Sequence, residues 1–239
     1  MTLLNTANKI YQGSQLASRV YLGTNKVWPS SALITAGLAG GWKLSDQSSG
    51  TTVNDWSGNG NTATFIGSPT WVAGGLSLNG SDQGLLLADS TSLQITGPIT
   101  ITARVRTTGT SNLQIIQGYE NGGSYAGWGC LIGYPGSGQF GYYSGAGGGW
   151  QQCPTIVNDG AWRHIACVES GGTVWFYLDG AAAGSATGTS DPNFYSGTRA
   201  IGITDDAAFN PFAGTLADIR VYNRALSAAE IAQIYAGTG

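Results

Sequence analysis

The sequence predicts an all-β protein, and three observations carry that prediction. Glycine is abundant, at 39 of 239 residues, as expected where many short strands are joined by tight turns. Charged residues make up only 10%, so the surface is built largely from Ser, Thr and Gly rather than from ion pairs. Strand-like runs recur at short spacing from residue 38 to residue 222. A chain of this length accommodates one large domain with a sizeable core.

The first 31 residues stand apart. Ile10-Tyr11-Gln12-Gly13-Ser14-Gln15-Leu16-Ala17 is echoed by Val20-Tyr21-Leu22-Gly23-Thr24-Asn25-Lys26-Val27, ten positions on. Each copy reads as strand, tight turn, strand. Glycine permits positive φ at the turn, and Ile, Val and Tyr favour strands. A two-hairpin unit is marginal alone, so it is expected to dock, either on the rest of the chain or on another protein.

Residues 30–40 read as a linker. Strands are then expected near 38–44, 62–66, 75–79, 83–88, 99–107, 112–118, 128–134, 138–143, 162–169, 173–179, 199–203 and 214–222. The run Ile99 to Arg106 alternates apolar with polar or small residues, as in a half-buried strand. Val174 to Leu178, then Asp179-Gly180 and Ala181 to Ala183, reads as a hairpin with Asp-Gly at its turn. One helix is expected near the C-terminus. Ser227 and Glu230 form a capping box, Ala228 to Tyr235 carries apolar residues at helical spacing, and Gly237 supplies a left-handed stop. Ile231, Ile234 and Tyr235 should pack on the sandwich.

Six phrases run through this framework: Gly41-Trp42-Lys43-Leu44, Asp55-Trp56-Ser57-Gly58-Asn59-Gly60-Asn61, Leu78-Asn79-Gly80-Ser81, Trp162-Arg163-His164-Ile165-Ala166, Val174 to Gly180, and Leu216 to Ser227. In order and spacing they resemble the concanavalin A-like, laminin-G-like jelly-roll family over residues 33–236. The resemblance implies a sandwich of two antiparallel sheets with one short C-terminal helix, here with an N-terminal β-hairpin extension. It divides the chain into a hairpin segment, 1–31, and a jelly-roll domain, 32–239. It also implies a platform for glycan or protein binding. The hairpin repeat is similar to short segments of tailed-bacteriophage tail and virion proteins. That likeness implies anchoring to, or oligomerisation on, a particle.

Several function classes look excluded. A formal charge of −3, with no basic stripe, argues against nucleic acid as a partner. No apolar run approaches the roughly 20 residues a membrane helix needs. Met1 to Asn5 lacks the basic and apolar regions of a secretory signal, so release from a host cytoplasm within a virion is expected. Cys130, Cys153 and Cys167 lack metal-ligand spacing. Cys167 reads as a buried small hydrophobe, and Cys130 and Cys153 as either free or bridged after release.

Catalysis looks poorly supplied. His164 is the one histidine and lies mid-strand, as a hydrogen-bonded structural residue would. Glu120, Glu169 and Glu230 are far apart in sequence, and the Glu-x-Asp-x-Glu run of glycan-hydrolysing relatives of this fold is missing. The protein is therefore expected not to be an enzyme.

Binding chemistry is better supplied. Asp55, Ser57, Asn59 and Asn61 place oxygen side chains at alternate positions of a Gly-containing loop. The pattern suits either a structural Ca²⁺ ion or an Asx-rich turn that caps its own backbone. Segment 119–153 is rich in aromatics, of which Tyr119, Tyr125, Trp128, Tyr142, Tyr143 and Trp150 are candidates for stacking on sugar rings. Some of them should instead fill the core, because strand register is not legible here. The loop 205–212 is a second candidate rim. The expected protein is a homo-oligomeric bacteriophage virion component that binds other virion proteins through residues 1–31 and host-surface carbohydrate through its jelly roll. A purely structural decoration protein remains the alternative, and a glycan-degrading enzyme is the remoter one.

Overall fold

The computed structural model describes the backbone of residues 11–12, 15–16, 20–22 and 25–28, and then residues 34–110, 112–119, 126–134, 138–145, 149–204 and 210–238. In chain order the strands begin with β1 (Tyr11–Gln12), β2 (Gln15–Leu16), β3 (Val20–Leu22) and β4 (Asn25–Trp28). Then come β5 (Leu38–Trp42), β6 (Thr52–Val53), β7 (Ala63–Ile66), β8 (Thr70–Val72), β9 (Gly75–Asn79), β10 (Gly84–Leu87), β11 (Ile99–Arg106) and β12 (Leu113–Tyr119). They continue as β13 (Gly127–Ile132), β14 (Gln139–Ser144), β15 (Gly149–Ile156), β16 (Arg163–Ser170), β17 (Thr173–Leu178), β18 (Ala181–Thr187), β19 (Arg199–Ile201) and β20 (Ala213–Tyr222), before α1 (Ala228–Gly237).

The repeat in the first residues folds as read from the sequence. β1 pairs with β2, and β3 with β4, as two separate two-stranded ladders. Neither joins the two large sheets.

Those sheets are antiparallel and eight-stranded. The first runs β15-β14-β13-β12-β19-β10-β7-β6. The second runs β18-β17-β16-β11-β20-β9-β8, with β5 also paired to β20. Their inner faces meet in one apolar core. Trp42, Leu85, Ile101, Trp128, Phe140, Phe176 and Leu216 are all essentially inaccessible. Phe140 of the first sheet meets Phe176 of the second edge to face, with ring centroids 5.6 Å apart, a favoured aromatic geometry. The two sheets also approach at their β15 and β18 edges. Cys153 Sγ lies 3.6 Å from the Ala183 carbonyl oxygen, and a Cβ on Gly184 would stand 2.9 Å from Pro154. Pro154 sits on an edge strand, where its missing N–H costs no ladder bond.

The twelve strands expected from the sequence are all present, with small shifts at their ends. Four more were not expected: β6, β8, β15 and the full length of β18. α1 forms as expected. Ser227 Oγ accepts from the Glu230 N–H, and the Glu230 carboxylate accepts from the Ser227 N–H. Ile231 and Ile234 are buried against Ala166, Val168 and Tyr222 on the outer face of the second sheet. Two details differ from expectation. Gly237 is the last helical residue and has no positive φ, so the helix ends at Thr238, whose N–H donates to the Tyr235 carbonyl. Tyr235 stays 42% exposed, although its ring reaches His164.

The cysteines also differ from one expectation. All three are free thiols, and Cys130 faces Cys167 across the core, with sulfurs 3.9 Å apart, rather than Cys153. Alternation turns Cys130 inward on β13 and Cys167 inward on β16, which brings these two together.

Candidate glycan-binding site

Register across β12 to β15 sorts the aromatic segment. Gln117 pairs with Gly129, Gly129 with Tyr143, and Tyr143 with Trp150. These four form one row on the outward face of the first sheet. The neighbouring row, Cys130, Tyr142 and Gln151, points the other way, because successive side chains alternate across a sheet.

On the outward face, three rings gather at the sheet edge. Trp150 lies 4.9 Å from Tyr143 and 5.5 Å from Tyr134, ring centroid to ring centroid, and both pairs are tilted. Tyr134 is 42% exposed and Trp150 is part-exposed. Tyr143 is buried beside them and steadies the indole. Gln152, two residues beyond Trp150 on the same face, has a side-chain Nε2 with no hydrogen-bond partner. Its neighbour across the ladder is Gly141, where a Cβ would stand 2.6 Å from the Gln151 carbonyl. The edge thus offers the apolar ring faces that stacking on a sugar needs, with the buried Gln152 amide behind them.

Trp128 and Tyr142 lie elsewhere. Both point into the core and are 1% and 0% exposed. The Trp128 N–H donates to the Leu93 carbonyl at 3.3 Å, and its ring fills the space that a Cβ on Gly118 would need. Neither ring offers a face to a ligand, since inward alternation on β13 and β14 places them between the sheets. For Tyr119 the structure describes the backbone only, paired with Gly127. Tyr125 lies outside the described residues, as does 205–209 of the second candidate rim. Phe212, at the end of that rim, is buried.

The 55–61 loop is a hydrogen-bonded turn. Asp55 Oδ1 accepts from the N–H groups of Gly41 (2.8 Å) and Ser57 (2.9 Å). Its Oδ2 accepts from Ser57 Oγ (2.7 Å) and from the Asn61 N–H and Nδ2 (3.0 and 2.9 Å). The Nδ2 groups of Asn59 and Asn61 donate to the Ala39 carbonyl of β5. Both Asp55 oxygens are therefore occupied by protein donors. This is the arrangement of the Asx-rich turn, in which the side chains satisfy backbone groups of the loop and of β5. Among the described residues, no cluster of three or more His, Cys, Asp or Glu is placed to hold a metal.

Two titratable groups are unusual. The His164 ring is 2% exposed, and neither ring nitrogen has a hydrogen-bond partner. Burial holds its pKa down at about 4, so the ring is neutral. His164 was expected to be hydrogen-bonded, and instead its ring lies tilted against Tyr235, centroids 5.8 Å apart. No local pattern announces the second group. Glu169, inward on β16, lies near Asp191 from the loop after β18. Burial, then the Asp191 charge, raises the Glu169 carboxyl to about 7.

The fold has known counterparts. No curated protein sequence matches the chain. The Trypanosoma rangeli sialidase, solved in complex with sialic acid, is similar with a TM-score of 0.60 and 18% identity, over 83% of this chain and 32% of its own. The binding domain of botulinum neurotoxin DC in complex with SialylT superposes with a TM-score of 0.65 and 14% identity, over 86% of this chain and 52% of its own. The serotype D binding domain gives 0.62 and 12%, over 85% and 52%. The chain thus spans about a third of the sialidase and half of the neurotoxin domains, and identities this low show a shared fold alone. The family description "Concanavalin A-like lectin/glucanases superfamily", of the laminin G type, matches residues 79–232, more than half of the sequence and most of both sheets, and the chain belongs to that family.

Proposed function

We propose that the protein is a non-catalytic, lectin-like module that binds carbohydrate at the β15 edge of its first sheet. The observation that carries this reading is the Tyr134–Trp150–Tyr143 ring cluster beside the unpartnered Gln152 amide. The fold supports it as an analogy, since similar solved structures hold sialic acid or SialylT. The buried Glu169 and the neutral, buried His164, neither of which offers its side chain to solvent, favour binding over hydrolysis.

The finer setting rests on sequence resemblance. The two hairpins of residues 11–28 are similar to segments of tailed-phage virion proteins. We place the protein on a bacteriophage particle, attached through residues 1–31, with the jelly roll contacting host-surface glycan as a homo-oligomer. Many weak sites on one particle then give avidity without a tight single site.

The test is binding of the labelled, full-length protein to intact bacteria and to immobilised glycans, beside Trp150→Ala. Saturable binding that weakens at least roughly tenfold in the variant supports the assignment. Absence of binding by a multivalent display would favour a structural decoration role, and release of reducing sugar would make the protein an enzyme.

A further inference from the structure

Strand β11 places Arg104 and Arg106 two residues apart, hence on one face of the second sheet. That face points away from the core, where Ala103 and Val105 are buried. Both guanidinium groups lie over the ring of Trp162, at 4.6 and 5.1 Å from its centroid. Arg106 is exposed, and its one protein hydrogen bond is long, 3.4 Å to Thr215 Oγ1.

The charge balance of this face is exceptional. Every other Lys or Arg whose side chain is described has a carboxylate within 4 Å: Lys43 has Asp46, Arg163 has Asp159 and Asp179, Arg199 has Asp89, Arg220 has Asp218, and Arg224 has Glu230. Among the described residues, Arg104 and Arg106 have none. Two adjacent like charges repel, and the indole face offsets only about 0.5–1 kcal/mol each at an exposed site. A protein of net charge −3 has thus left its two uncompensated described cations side by side.

Beside them runs a groove of about 450 Å³, lined by Arg106, Ser77, Thr108, Thr215 and Gly160. Its floor needs glycine: at Gly214 φ is +145° and a Cβ would stand 2.4 Å from the Arg106 carbonyl. The groove offers hydroxyls and backbone groups along its length together with the Arg106 guanidinium. A planar fork binds a carboxylate with two parallel bonds, while hydroxyls suit the remaining oxygens of a sugar.

We propose that the groove beside Arg106 is a binding site for an acidic saccharide, whose carboxylate is held by the Arg106 guanidinium, with Arg104 adding its charge from the same face over Trp162. This site lies on the opposite sheet from the Tyr134–Trp150 edge and stands without it.

The test uses titration calorimetry of the full-length protein with a glucuronic acid-containing tetrasaccharide, its carboxyl-reduced counterpart and inorganic phosphate, at low and high salt. The tetrasaccharide should bind, weaken with salt, and lose roughly tenfold or more in affinity on carboxyl reduction. Arg104→Gln/Arg106→Gln should lose binding by a similar factor, and Arg106→Lys should fall between. If the double variant does not fold, Arg106→Gln alone serves, since that side chain is exposed. Trp150→Ala should bind the tetrasaccharide as wild type does, so failure of the ring-cluster site and failure of this one are separable. Equal binding of the carboxyl-reduced sugar, undiminished binding by a folded Arg variant, or binding of phosphate but not of the acidic sugar would each overturn the proposal.

Discussion

Glu169 is buried on the inner face of β16 near Asp191, and of its carboxyl oxygens Oε1 accepts from the Gly172 N–H at 3.3 Å while Oε2 has no hydrogen-bond partner among the described residues. Burial and the neighbouring charge raise Glu169 to about 7, against an ordinary value near 4.5. The unfolded chain therefore releases this proton before the folded one does. Stability from this group is full below about pH 4.5 and is lost as pH rises through about 7, because the folded state binds the extra proton in that window. Glu169→Gln keeps the shape and removes the charge. It should raise stability at pH 8 by on the order of 2 kcal/mol and flatten the fall between pH 5 and pH 8. Thermal melts across that range check this, and a variant with the same slope as wild type would show that another group governs it.

Trp128 and Trp150 look alike in the sequence and separate in the structure. Trp128 is 1% exposed between the sheets, so Trp128→Ala should cost about 3–5 kcal/mol. Trp150→Ala sits at an edge and should cost far less, about 1 kcal/mol or under, while weakening glycan binding. Paired urea melts and binding isotherms distinguish the two. Lost binding in Trp128→Ala would then report unfolding, not a ligand contact.

How far the chain could be read follows from the same pair. Periodicity located twelve strands, and the capping box located α1, because both signals are local. Face assignment in 119–153 was not legible: glycines interrupt the alternation, and bulges shift the register between Gln114 and Ile116 and between Gln139 and Gly141. Strand β15 was hidden by the glycines before it and by Pro154 within it, which only an edge position tolerates. The Glu169–Asp191 proximity and the groove beside Arg106 arise from residues distant in sequence, and no local pattern announces them.

Asp55 accepts five hydrogen bonds, four from Ser57 and Asn61 within the turn at 55–61 and one from the Gly41 N–H of strand β5. The turn in turn brings the Asn61 carbonyl to the N–H of the buried Trp42, at 2.7 Å. Asp55→Ala leaves the Gly41 and Asn61 N–H groups without their acceptor. A loss of about 2–4 kcal/mol is expected, since bonds to a charged acceptor are worth more than neutral ones. Chelator should leave the wild-type melting curve unchanged. A fall in melting temperature with chelator, restored by Ca²⁺, would mean that the loop rearranges around an ion.

Glu230 ties the helix start to the strand before it. Its carboxylate takes two bonds from Arg224, at 2.6 and 3.2 Å, and one from the Ser227 N–H at 2.8 Å. The Arg224 bond is the main reason its pKa is held down at about 2. A depressed carboxylate stabilises the fold above its unfolded value, near 4.5, and that contribution is lost as pH falls toward 2. The pair is part-exposed, so solvent screening keeps the gain small. Glu230→Gln should therefore cost about 1 kcal/mol at pH 7, from the capping bond and the ion pair together. The gap between variant and wild type should narrow as pH falls through about 2 and close below it, where both side chains are neutral. A gap that persists unchanged in acid would assign the effect to packing of α1 against Ala166 and Val168 rather than to the charge at its cap.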